Sequence, residues 1–167
     1  MTPIKFVVSG PVGAGKTTFI RSISQTEVVS TEELSTEQIG KTHTTVALDF
    51  GQIDLGEHVL HLFGTPGQTR FDYMWDILSE GALGLIMLVP CDAPNEFPQA
   101  RRILESVVSR HPVEFIIGLT RTDLSSNGWN VPDVAAYFGL PEQQVVAVNP
   151  RDSASTRDAI HHLLQRL

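Results

Sequence analysis

The stretch Gly10 to Thr18, reading GPVGAGKTT, constrains this 167-residue chain more than any other. An apolar run, Ile4 to Val8, precedes it, and a helical pattern, Phe19 Ile20 Arg21 Ser22 Ile23, follows. In that setting the pattern G-x-x-x-x-G-K-[ST] makes a phosphate-binding loop, with a capped glycine-rich turn as the plainer alternative. Gly10, Gly13 and Gly15 permit backbone angles that a Cβ forbids. The amides from Val12 through Ala14 to Thr18 can then face phosphate oxygens, aided by the positive end of the following helix. In such a loop Lys16 reaches the β- and γ-phosphates, and the Thr17 hydroxyl suits Mg²⁺.

The length suits a single domain with a substantial core, expected to span residues 1–167. A formal charge of −7, with only 12 Lys and Arg, argues against nucleic acid as the main ligand. A lone Cys91 excludes an internal disulfide. The apolar run Ala82–Pro90 is too short to span a bilayer, and neither a secretory leader nor a lipidation motif is visible. The expectation is a cytoplasmic protein with no lipid anchor and no membrane insertion.

Hydrophobic periodicity orders the chain. Helix runs to about Gln25, and Thr26–His43 is polar and reads as a solvated loop. Thr45–Ile53 alternates as a strand, and Asp54 Leu55 Gly56 Glu57 reads as a hairpin turn into a strand over Val59–Phe63. Strands follow at Leu85–Pro90, Val113–Leu119 and Val145–Val148, and helices at Phe97–Arg110, Val131–Phe138 and Ala154–Leu167. The apolar side of the Phe97–Arg110 helix is read as Ile103, Leu104, Val107 and Val108. This alternation predicts an α/β fold: a mostly parallel six-stranded sheet, helices on both faces, one antiparallel hairpin strand. Ligands of such sheets bind beyond the carboxyl ends of the strands. The stretches Lys41–Thr45, Gly64–Gln68, Thr120–Asp123 and Asn149–Asp152 all fall there.

With these loops in order, the chain resembles the Ras-like small GTPases, a P-loop NTPase group. Within them it resembles the prokaryotic branch typified by the bacterial gliding-motility GTPase. The resemblance implies GTP or GDP as ligand, with Mg²⁺ held by Thr17 and by a switch threonine at Thr45, Thr44 being its close competitor. It implies that Gln68 orients the attacking water, that Gly67 meets the γ-phosphate through its amide, and that Lys16 serves catalysis. Thr120, Arg121 and Asp123 stand at the base-reading loop, where a carboxylate accepts from guanine N1 and N2 and Arg121 covers the base. Pro150 and Arg151 stand where the family's last loop donates an amide to guanine O6. Roadblock-type regulatory proteins or a GTPase activator are the partners that the resemblance implies.

Three departures bear on chemistry. Gly64 occupies the position of the family's Mg²⁺-supporting aspartate. Asp49 on the neighbouring strand either compensates or is a structural residue of the hairpin. Thr120 lacks the two-ended amide of the family's asparagine, and Pro150 lacks an N–H, so Arg151 supplies the O6 bond or that bond is lost. The leading expectation is a slow GTP-hydrolysing switch. A nucleotide-binding regulator or scaffold with little hydrolysis is the alternative, and a small P-loop kinase ranks last for want of an arginine-rich lid. The histidines are expected to be solvated and not to form a metal site.

Overall fold

The computed structural model describes residues 3–11, 13–24, 29–30, 49–65, 79–124 and 127–167. Seven strands form one sheet: β1 (Pro3–Ser9), β2 (Val29–Ser30), β3 (Asp49–Asp54), β4 (Val59–Gly64), β5 (Gly84–Pro90), β6 (Glu114–Thr120) and β7 (Val145–Ala147). Among the described residues four α-helices accompany them: α1 (Lys16–Ile23), α2 (Phe97–Arg110), α3 (Val131–Phe138) and α4 (Ser153–Leu164). The strand order is β2-β3-β4-β1-β5-β6-β7. β3 runs antiparallel to both β2 and β4, and every other neighbouring pair is parallel.

The expected sheet is present, with one addition. Two residues inside the polar segment, Val29 and Ser30, pair with Phe50 and Asp49 and add an edge strand. So short a strand exists only through its partner, which a local periodicity does not report. The hairpin falls where Asp54 and Gly56 placed it: the Gly56 amide donates to Asp54 Oδ1 at 2.8 Å, with Gly56 at φ +91°.

β5 is buried along all of its length, as a central parallel strand must be when helices cover both faces. Its side chains alternate between two cores. Leu85, Met87 and Val89 meet α2 and α3, while Ile86 and Leu88 meet α1 and α4. In α2 the residues Phe97, Ala100, Ile103, Leu104 and Val107 are buried, each larger one worth about 1.5–3 kcal/mol. Val108, expected on that face, is 37% exposed, because it lies one residue beyond the stripe. α4 begins at Ser153, where the Asp152 carboxylate caps the Ala154 amide, and it ends at Leu164 rather than Leu167. The last strand stops at Ala147, although Val148 stays in the core.

Candidate functional site

The carboxyl ends of β1, β6 and β7 converge with the start of α1. The three loop glycines have positive φ: Gly10 at 151°, Gly13 at 85° and Gly15 at 101°. Gly10 also lies so close to β5 that a Cβ would stand 2.4 Å from the Leu88 carbonyl oxygen. Gly15 is the N-cap of α1, in the left-handed region and with no side chain capping the first turn. The leading amides of α1 thus lack the side-chain acceptor that a Ser or Asp cap supplies, which is the condition for an anion site. Ala14 is buried, Gly13 and Thr18 are exposed, and Val12 lies outside the described residues.

Lys16 folds back over this loop. Its ammonium donates to the carbonyls of Gly10 at 2.7 Å and Pro11 at 3.1 Å. Burial lowers its pKa to about 8, while the negative charge of Asp49 acts the other way. The Thr17 hydroxyl donates to Asp49 Oδ2.

Asp49 is buried and is the register partner of Gly64 across the β3–β4 pair. A Cβ on Gly64 would lie 3.4 Å from the Asp49 Cβ and 3.6 Å from its Oδ2. A carboxylate on β3 therefore stands beside the Gly64 position and meets Thr17. A hydroxyl and a carboxylate form an all-oxygen donor set of the kind Mg²⁺ prefers, so Thr17, supported by Asp49, fits that ion. Just beyond, the Thr65 amide donates to the Val8 carbonyl at 2.9 Å and its hydroxyl donates to Ser9 Oγ at 2.6 Å. This pins the root of the Gly64–Gln68 stretch to β1. Thr44, Thr45, Gly67 and Gln68 themselves lie outside the described residues.

A cavity of about 190 Å³ is lined by Thr18, Arg121, Asp123, Leu124, Asn149, Pro150 and Arg151. It brings the phosphate loop's helix together with both of the loops expected to read a base. Within it the two arginines are already engaged. Arg121 Nε lies 2.9 Å from each carboxylate oxygen of Asp92, and the residue has a positive φ of 67°. Arg151 donates through a guanidinium nitrogen to Asp123 Oδ2 at 3.2 Å. Arg121 thus pairs with Asp92, and Arg151 pairs with the Asp123 carboxylate.

Thr120 stands outside that cavity and Pro150 lines it. Thr120 is fully buried, lies outside the cavity lining, and leaves its hydroxyl without a hydrogen-bond partner among the described residues. Pro150 packs on the phosphate loop, 3.1 Å from where a Gly15 Cβ would stand. The amides around it are used internally: Asn149 donates to Ser155 Oγ, Arg151 to Asn149 Oδ1, and Asp152 to the Asn149 carbonyl. The sequence marks Asn149 only as part of the Asn149–Asp152 stretch, without a role, and does not mark Asp92. Asn149 had a signal, since it stands between a strand end and Pro150, whereas Asp92 had none. Among the described residues there is no cluster of three potential metal ligands from His, Cys, Asp or Glu, and no helix long and apolar enough to cross a membrane.

Comparison with known proteins places this site in context. A family model described as conserved hypothetical ATP binding protein matches residues 8–165. An uncharacterized protein of Methanocaldococcus jannaschii is 27% identical over 124 residues, covering 72% of this chain and 71% of its own. The ADP-ribosylation factor-related protein 1 of Rattus norvegicus is 24% identical over 134 residues, covering 79% of this chain and 65% of its own. The crystal structure of the bacterial selenocysteine-specific elongation factor EF-Sec superposes with a TM-score of 0.69 at 23% identity. That match covers the whole of this chain but only 29% of the elongation factor.

Proposed function

The chain belongs to the family described as conserved hypothetical ATP binding protein, and from that premise we propose that it is a small GTP-binding switch with slow GTP hydrolysis. The observation that carries this reading is the shared cavity, in which Thr18 of the phosphate-loop helix and Asp123 of the base loop face one space. The family description names an adenine nucleotide, whereas Asp123 favours guanine. A carboxylate there accepts from guanine N1 and N2, and adenine offers it no such pair.

Roles follow from the chain's own atoms. The phosphate-loop amides and Lys16 bind the polyphosphate, displacing the Lys16 ammonium from the Gly10 and Pro11 carbonyls. Thr17 and Thr45 would hold Mg²⁺, which when bound supplies positive charge to the phosphate oxygens. Asp49 orients the Thr17 hydroxyl. Gln68 positions water, and Gly67 links the nucleotide to its loop, as in the gliding-motility branch that the TPGQ pattern resembles. A roadblock-type protein or other activator completing the site accounts for slow turnover alone. The reading as a regulator with little hydrolysis draws on Gly64 and on the internally bonded amides of the last loop.

Titration calorimetry with GDP, GTP, ADP and ATP, with and without Mg²⁺, tests the proposal. Guanine nucleotides bind, and Asp123→Ala weakens them about 10- to 100-fold, the scale of hydrogen bonds to a charged group. Asp49→Asn removes the Mg²⁺-dependent part of the affinity and spares the rest. A folded protein that binds none of the four sinks the reading.

A further inference from the structure

In the nucleotide reading above Asp123 discriminates between purines, and here it already has a cationic partner. Arg151, which lines the same cavity, approaches it at 3.2 Å. No main-chain donor of Pro150 or Arg151 is left for a base: Pro150 has no N–H, and the Arg151 amide is taken by Asn149 Oδ1 at 3.1 Å. Arg121, the other cation on the cavity wall, is held by Asp92.

We propose that Arg151 sets the purine specificity of the site by competing with guanine for Asp123. The inference rests on the nucleotide reading above and concerns which base that site accepts. Guanine N1–H and N2–H can satisfy the carboxylate only after the guanidinium has been displaced, so guanine loses part of its advantage. Adenine, which presents no donor pair, leaves Arg151 in place. The carboxylate then stays paired, and the penalty that would reject adenine is relieved. The Arg151–Asp123 bridge therefore narrows the preference from both sides. Its two side chains are 61% and 42% exposed, so the competition is one of small factors rather than a block.

GDP and ADP carry the same phosphates, so the ratio of their affinities isolates the base. In the full chain, Arg151→Ala tightens GDP about two- to fivefold, the strength of an exposed ion pair, and weakens ADP by a similar factor. Arg151→Lys, which keeps the charge, stays near wild type. In an Asp123→Ala background, Arg151→Ala no longer changes the ratio. An unchanged ratio in the single variant overturns the inference. Weaker GDP binding in Arg151→Ala overturns it too, because Arg151 would then be contacting the base itself. Nucleotide binding persists in both of those cases, whereas failure of the parent reading appears as no binding by wild type.

Discussion

The partly buried Lys16 and the buried Asp49 are the charges beside the phosphate loop. Burial brings Lys16 down to about 8 from 10.5 in the ligand-free protein, with Asp49 opposing the shift. Polyphosphate placed beside the ammonium favours its charged form, so nucleotide binding above that pH takes up a proton, and affinity falls as pH rises. The same shift has the opposite sign for the empty fold. Between about pH 8 and 10.5 the unfolded chain still holds the proton that the folded chain has released, so stability rises with pH in that window. Calorimetry at about pH 8.5 in two buffers of different ionisation enthalpy measures the uptake, and a value of zero would show that Lys16 is not perturbed. At this scale the sequence is informative where spacing is local. The glycines, Lys16 and Thr17 fall within one short loop, and their placement together follows from order alone. Arg121–Asp92 and Arg151–Asp123 join residues 29 and 28 positions apart, and nothing in either loop announces its partner.

Secondary-structure elements show the same division. α2 and α3 begin and end where the sequence places them, because each has a proline in its first turn and α3 has Gly139 at φ +70° as its terminator. α4 has no such stop after Leu164, and its end could not be read from the amphipathic pattern. The contact between α1 and β3 depends on a residue that carries no motif. Gly51 lets α1 lie flat on the sheet, since a Cβ there would stand 2.6 Å from Ile20 Cγ2 and 2.9 Å from Ser24 Oγ. Gly51→Ala should cost about 1–3 kcal/mol in urea unfolding, because α1 must shift or Ile20 must leave its rotamer. Since α1 also carries Thr17, the substitution should weaken Mg²⁺-dependent nucleotide binding as well. A variant with unchanged stability would mean that the helix rides higher on the sheet than described.

At the scale of the whole molecule, the sheet separates two cores, and the site draws on one of them. Ala14, Phe19 and Ile20 of the phosphate-loop region pack with Ile160 and Leu163 of α4 in the same cluster. Leu163→Ala should destabilise the fold by about 2–5 kcal/mol in urea unfolding, as a fully buried leucine lost against β5. A loss below 1 kcal/mol, roughly that of a surface change, would show that α4 is peripheral. The long-range contacts also fix an order of events. Pro150 rests on the phosphate loop at Gly15, and the Ser22 hydroxyl donates to Thr156 across 134 positions of the chain. Closing so long a span is slow, and its entropy is lost before any contact compensates for it. A ribosome that has released the glycine-rich loop has therefore not yet made a nucleotide site. On the proposed reading that site becomes competent only when residues beyond 145 emerge, so a nascent chain arrested earlier should leave nucleotide in solution.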